Sequence, residues 1–148
     1  VNIKEVNKNN FIFYTNYNSP KSSQFKNHNQ ISVLFYWYKT NTQIRIKGNI
    51  SELNSIQSDN YFYERDPYKN ALSICSKQSE ILESYEILEN HYEQTIEKND
   101  LRERPNYWGG YSIKPYFFEF WGGHEKRLNR RECYRLLGNE WQKNYLWP

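Results

Sequence analysis

Ile31-Ser32-Val33-Leu34-Phe35-Tyr36-Trp37-Tyr38, followed after a short polar step by Gln43-Ile44-Arg45-Ile46-Lys47-Gly48, is the stretch whose pattern decides the fold. The first run is apolar on both alternating faces, with Ile31, Val33, Phe35 and Trp37 on one and Leu34, Tyr36 and Tyr38 on the other. That pattern predicts a central strand covered on both sides. The second run sets Gln43, Arg45 and Lys47 against Ile44 and Ile46, which predicts a half-buried strand whose polar face is free to meet a ligand or water.

Working outward, residues 11–15 form a β-branched and aromatic run closed by the turn-rich Asn16-Tyr17-Asn18-Ser19-Pro20, strand then turn. Residues 21–26 predict a short helix with Pro20 at the favoured first position. Residues 51–65 and 67–75 predict two further helices divided at Asp66-Pro67, because proline disfavours helix in the residue before it. Ile81, Tyr85, Leu88, Tyr92 and Ile96 recur at three- and four-residue steps in a Glu-rich background, an amphipathic helix ending near Asn99. Residues 107–121, 131–137 and 141–146 have strand composition, with Gly109-Gly110 and Gly122-Gly123 expected as bends or bulges. Strands, then helices, then strands imply a mainly β or α+β fold and exclude a doubly wound parallel sheet.

The 148 residues suit a single domain, 1–148, around one core. A balance of 20 Lys+Arg against 17 Asp+Glu gives a net charge of +3, with the basic residues dispersed. No nucleic-acid partner is expected from that, whereas a small anionic ligand needs no more. Aromatics make up 18% of the chain, so rings must supply much of the buried area, and they suit a planar ligand. Cys75 and Cys133 stand without CxxC spacing or a secretory signal, so reduced thiols and a cytoplasmic setting are expected. No apolar run approaches the roughly 20 residues needed to cross a bilayer, and no membrane partner is expected. His28, His91 and His124 are far apart with no metal-ligand spacing, so no metal site is expected. The sequence begins at Val1 and contains 0 Met; residues preceding Val1, or modified methionines, are the expectations that follow.

Several blocks stand in order along the chain: Phe13-Tyr14-Thr15-Asn16 with Ser19 and Lys21, Gln43 on its strand, Tyr61-Phe62 with Arg65, and Ser76-Lys77-Gln78-Ser79. Trp108-Gly109-Gly110-Tyr111 leads on to Glu119-Phe120-Trp121, then Gly122-Gly123, Arg127-Leu128, Arg131 and the closing Leu146-Trp147-Pro148. Each block alone is weak; their joint order and spacing over essentially the whole chain is specific, and it resembles the pyridoxamine/pyridoxine 5′-phosphate oxidases. The resemblance implies an FMN-binding split β-barrel with flanking helices, residues 107–148 as a dimerisation segment, and a homodimer with flavin at the subunit interface. It also implies oxidation of pyridoxamine or pyridoxine 5′-phosphate to pyridoxal 5′-phosphate, with O₂ as acceptor and hydrogen peroxide as product.

Carried over residue by residue, the resemblance makes Lys4, Tyr14, Thr15, Lys21, Gln43, Gln78, Ser79, Trp121 and Arg131 the flavin set. Lys4, Tyr61 and Arg65 would take the substrate phosphate, Lys69 and Asn129 would stand beside the substrate, and Arg127 would be the catalytic side chain over the reacting end of the pyridine ring. The residue types suit these tasks. A phosphate dianion calls for fixed cations and hydroxyl donors, as in Lys21, Arg131, Thr15 and Ser79. Gln43 and Gln78 offer donors and acceptors to the edge of a flavin, and Trp121 offers it an aromatic face.

Taken singly, these residues also have ordinary readings: Lys21 as a solvated lysine, Arg65 as a surface ion pair, Trp121 as a core aromatic, Ser79 as the N-cap of the long helix. The chain departs from the family pattern at Pro20, where a second basic residue is usual, at Asn129, where the family has histidine, and at Lys69, where it commonly has serine. Two strands and a phosphate-binding arginine of the family precede the position of Val1, so N-terminal strands of that fold are expected to be missing. A flavin- or pyridoxal-phosphate-binding protein without turnover, and a related flavin oxidase of another planar substrate, stay open as alternatives.

Overall fold

The computed structural model describes residues 1–148. In chain order its elements are β1 (Glu5–Asn7), β2 (Asn10–Asn16), α1 (Pro20–Asn27), β3 (Gln30–Trp37), β4 (Thr42–Glu52), α2 (Ser55–Glu64), α3 (Pro67–Cys75), α4 (Tyr85–Lys98), β5 (Trp108–Gly122), β6 (Arg130–Leu137) and β7 (Glu140–Tyr145). The seven strands pair antiparallel in one sheet, the mainly β arrangement with flanking helices that the strand–helix–strand order predicts.

β5 is the spine. One edge pairs with β4 from Tyr111 to Gly122; the other takes β2 along its first half, Thr15 opposite Gly109, and β6 along its second, Trp121 opposite Arg131. This division of one long strand between two neighbours splits the sheet into two halves. The first half carries the main core cluster, Phe13, Ile50, Tyr111 and Ile113, with Phe25 and Val33 packed against it. Phe13 and Ile113 are each 1% exposed, and burying such a side chain stabilises by about 1.5–3 kcal/mol, more than any surface ion pair at about 0–1 kcal/mol.

Ile44 and Ile46 are buried and Gln43, Arg45 and Lys47 stay partly exposed on the opposite face of β4, as the alternation requires. β3 departs from expectation. It is an edge strand, paired only with β4, and Leu34, Tyr36 and Trp37 keep 60%, 55% and 57% exposure. Apolar residues on both faces report that both faces need cover; they do not name what covers them. The glycine pair at 109–110 is also different from its expected bend: both residues sit in register within β5 opposite Thr15 and Tyr14. Their lack of a side chain serves a close approach, since a Cβ on Gly109 would overlap the Tyr17 hydroxyl. The register shift falls instead at Lys47/Gly48.

β4 runs on to Glu52, so α2 starts at Ser55, capped by the Asn54 side chain accepting from the Gln57 amide at 2.8 Å. α3 begins at Pro67 as the Asp66-Pro67 step predicts, with Asp66 accepting from the Tyr68 amide at 2.9 Å. α4 begins at Tyr85, leaving Ile81 outside it and 99% exposed; Ser84, not Ser79, is its N-cap residue. Both cysteines are free thiols, and no helix is long and apolar enough to cross a membrane.

Candidate active site

A cavity of about 340 Å³ opens where the end of β2, the start of α1, the end of α3 and the segment after it meet. Tyr14, Thr15, Lys21, Arg65 and Gln78 line it, with Asn16, Ser73, Ser76 and Trp108. Pro20 opens α1 at its first turn and so brings Lys21 back toward β2. There the Lys21 ammonium donates to Ser19 Oγ at 3.0 Å, Thr15 Oγ1 at 3.2 Å and Gln78 Oε1 at 3.3 Å. Thr15 Oγ1 in turn donates to Gln78 Oε1 at 3.1 Å. All of these acceptors are neutral, and no carboxylate lines the cavity. Burial pushes the Lys21 pKa down, as expected of a cation that has lost water without gaining a counter-charge.

Arg65, the C-cap residue of α2, faces the same cavity. It likewise lacks a carboxylate partner: it donates to the Lys69 carbonyl, Asn70 Oδ1 and Ser73 Oγ, and its guanidinium lies 5.3 Å from the Trp108 ring centre. Burial lowers its pKa too. Beside it, Tyr61 of α2 stacks on Tyr14 of β2, and Tyr14 stacks on Trp108 at 5.5 Å and 11°. Burial first, then Glu5 and the neighbouring tyrosines, push the Tyr14 phenol up to about 12, so it is a neutral donor at physiological pH.

A second hollow, of about 260 Å³, lies on the polar face of β4, β5 and β6 and is lined by Gln43, Arg45, Glu119, Trp121, Arg131 and Pro148. Register explains the grouping: Gln43 pairs with Trp121 and Trp121 with Arg131, forming one row across the sheet. In the next row Glu119, 5% exposed, accepts from Arg131 Nε at 2.7 Å and from Arg45 Nη2. Burial opposes ionisation of that carboxyl, but the hydrogen bonds and charges of Arg131 and Arg45 outweigh it and hold the pKa below the usual carboxylate range.

The remaining expected residues lie outside both hollows. Ser79 adopts a left-handed φ of 71° and lines a neighbouring groove with Lys77 and Cys75. Lys4 precedes β1 with its side chain exposed, and Lys69 is exposed on α3. Arg127 and Asn129 sit in the β5–β6 loop, Arg127 at φ 61° and Asn129 Oδ1 accepting from the His124 amide at 3.0 Å. One protomer thus gathers Tyr14, Thr15, Lys21, Arg65 and Gln78, separately gathers Gln43, Trp121 and Arg131, and does not join the two groups.

Two family models match. That described as pyridoxamine 5′-phosphate oxidase covers residues 1–99, and that described as the pyridoxine 5′-phosphate oxidase C-terminal dimerisation region covers residues 108–148. This chain belongs to the pyridoxamine 5′-phosphate oxidase family. The pyridoxine/pyridoxamine 5′-phosphate oxidase of Thermosynechococcus vestitus is 37% identical over 153 residues, covering 99% of this chain and 70% of the relative. That of Actinobacillus pleuropneumoniae serotype 5b is 39% identical over 148 residues with the same coverage of each, 99% and 70%. PhzG of Burkholderia lata 383, solved with tetrahydrophenazine-1-carboxylic acid, superposes with a TM-score of 0.88 at 30% identity, over 99% of this chain and 72% of that one. A pyridoxamine 5′-phosphate oxidase-related, FMN-binding protein of Nostoc punctiforme shares the fold, with a TM-score of 0.79 at 14% identity over 99% of this chain and 77% of that one.

The family is one of oxidoreductases and its cofactor is FMN. The residues here fit that group on their own chemistry. Lys21 is a fixed cation whose partners are all neutral oxygens, which suits a phosphate dianion, while Gln43 and Trp121 supply an amide and a ring on one strip of sheet.

Reading by motif finds the residues that carry charge or rings but misses those that hold them. Asn70, Ser73 and Arg45 belong to the site only through helix spacing and cross-strand register. For Arg45 the alternation with Gln43 was the available signal; for fully buried Asn70 there was none.

Proposed function

We propose that this chain is an FMN-dependent oxidase that converts pyridoxamine or pyridoxine 5′-phosphate to pyridoxal 5′-phosphate, with O₂ as acceptor and hydrogen peroxide as product, working as a cytoplasmic homodimer. The observation that carries this reading is the pair Lys21 and Arg65, two cations without carboxylate partners lining one cavity. Two phosphate-bearing molecules, a cofactor and a substrate, are the ligands that such a pair answers.

In this reading Lys21, Thr15, Gln78, Ser79 and Tyr14, with Lys4, take the flavin. Arg65, Tyr61, Lys69 and Lys4 take the substrate phosphate. Gln43, Trp121 and Arg131 of a second copy complete the flavin pocket, supported by their segregation in a separate hollow and by the match of residues 108–148 to a dimerisation region. Residues 1–148 then form one functional domain with 107–148 as its dimerisation segment. When bound, FMN supplies hydride acceptance from the substrate and reoxidation by O₂. The chain itself orients: Arg65 fixes the phosphate end of the substrate, and Arg127 and Asn129 meet the ring from the β5–β6 loop.

A second reading, a flavin oxidase of another planar substrate, is favoured by the likeness to PhzG. One experiment separates them. Purified protein loaded with FMN is mixed anaerobically with pyridoxine 5′-phosphate, and bleaching of the visible flavin bands is the result expected. Bleaching by a tetrahydrophenazine carboxylate alone would establish the second reading, and a protein that refuses FMN would remove both.

A further inference from the structure

The guanidinium of Arg65 is held from one side. Its Nη1 donates to the Lys69 carbonyl at 2.9 Å, to Asn70 Oδ1 at 3.1 Å and to Ser73 Oγ at 2.8 Å, whereas no protein acceptor meets Nε or Nη2. The plane is steadied by the Trp108 ring, 5.3 Å away. A guanidinium carries its N–H groups in a rigid fork. With Nη1 engaged, Nε–H and the adjacent Nη2–H point the same way and are the pair that takes two oxygens of one anion.

Asn70 sets this arrangement. It is fully buried, and its Nδ2 donates to the Phe62 and Leu101 carbonyls, both at 2.8 Å. Those two acceptors fix the amide's orientation, because the flipped rotamer would set its oxygen against two carbonyl oxygens. Oδ1 must then face Arg65. Ser73 Oγ donates to the Lys69 carbonyl at 3.1 Å, which leaves its lone pairs for Arg65. Every group on Nη1 is neutral, so the holding contacts leave the positive charge uncompensated.

We propose that Asn70 and Ser73 are positioning residues that present the Nε–Nη2 edge of Arg65 to a phosphate monoester dianion. The inference rests on the reading of Arg65 as the substrate-phosphate ligand and deepens it, naming what makes that arginine select a phosphorylated ring over the same ring without phosphate.

The test uses the FMN-loaded protein titrated with pyridoxal 5′-phosphate and, separately, with pyridoxal, read by flavin absorbance and fluorescence. Ser73→Ala, on a partly exposed helix position, weakens pyridoxal 5′-phosphate binding on the order of threefold to tenfold, the net worth of one ordinary hydrogen bond felt through the arginine, since two other acceptors still hold Nη1. Its affinities for pyridoxal and FMN stay at parent values, and KM rises while kcat holds. In an Arg65→Ala background the same substitution has no further effect, since it acts through the arginine. Asn70→Ala repeats the pattern with a larger loss; where it fails to fold, Ser73→Ala carries the test. Equal weakening by Ser73→Ala with and without Arg65, or equal weakening toward pyridoxal, overturns the proposal. If Arg65→Ala alone leaves pyridoxal 5′-phosphate affinity unchanged, the phosphate does not sit on Arg65, and the failure belongs to the underlying assignment.

Discussion

Tyr14 and Tyr61 lie face to face, their ring centres 3.7 Å apart and their planes 4° from parallel. One ring comes from β2 and the other from α2, so the stack ties the helix capped by Arg65 to the strand that carries Thr15. Tyr61→Phe keeps the stack and removes the hydroxyl; it should leave FMN retention unchanged while raising KM for the phosphorylated substrate. Tyr61→Ala removes both and should also lower stability by about 2–4 kcal/mol through lost ring packing. Thermal unfolding alongside FMN titration checks this, and a Phe variant as damaged in fold as the Ala variant would contradict it.

Lys21 touches only neutral oxygens. Lys21→Ala should therefore weaken FMN binding by about 10- to 100-fold, the range for a charged hydrogen bond to phosphate, and leave riboflavin binding nearly unchanged. Parallel titrations with the two flavins measure the difference. Equal losses for both would place the lysine away from the phosphate.

The carboxyl of Glu119 has its pKa lowered from 4.5 on folding. A carboxyl depressed in this direction contributes stability that is fully present above its ordinary value and is lost as pH falls through the folded one. Glu119→Gln should thus unfold at lower temperature than the parent at pH 7, and the gap should narrow as pH drops below about 4.5. Its size at neutral pH should be about 1–3 kcal/mol, less than for a fully buried pair because the Arg45 side chain keeps 39% exposure. A gap independent of pH would show that the loss is one of shape and not of charge.

Asn129 Oδ1 closes the β5–β6 loop on the His124 amide at 3.0 Å, two residues from Arg127 with its left-handed φ of 61°. Arg127→Ala should depress turnover far more than FMN retention. Asn129→His should loosen the loop as it introduces an imidazole, so turnover rises only if the imidazole's chemistry outweighs the lost closure. Steady-state kinetics on both variants, with flavin content measured on the same samples, decide this.

Much of this architecture was legible from local pattern. The Ile44/Ile46 alternation, the Asp66-Pro67 break and the three- and four-residue steps of α4 all act within a few residues; the first two appear where the pattern puts them, and the third does so from Tyr85 onward, with Ile81 left outside the helix. β1 was not legible because Glu5-Val6-Asn7 has neither length nor alternation, and its strand exists only by pairing with residues 10–12. The placement of β3 at an edge depends on strand order, which no single strand encodes. In the candidate site the charged and aromatic members were visible as motifs. The grip of Asn70 on Arg65 and of Glu119 on Arg131 was not, since each depends on contacts set by tertiary register.

The separation of Lys21 and Arg131 into different hollows of one protomer has a genetic corollary. If each complete pocket borrows one hollow from either copy, then two defective proteins, one altered at Lys21 and the other at Arg131, can heal each other when co-expressed. A mixed pair would contain one pocket bearing both lesions and one bearing neither. Such interallelic complementation would recover up to half the flavin sites in every mixed pair, from two parents that hold flavin poorly on their own.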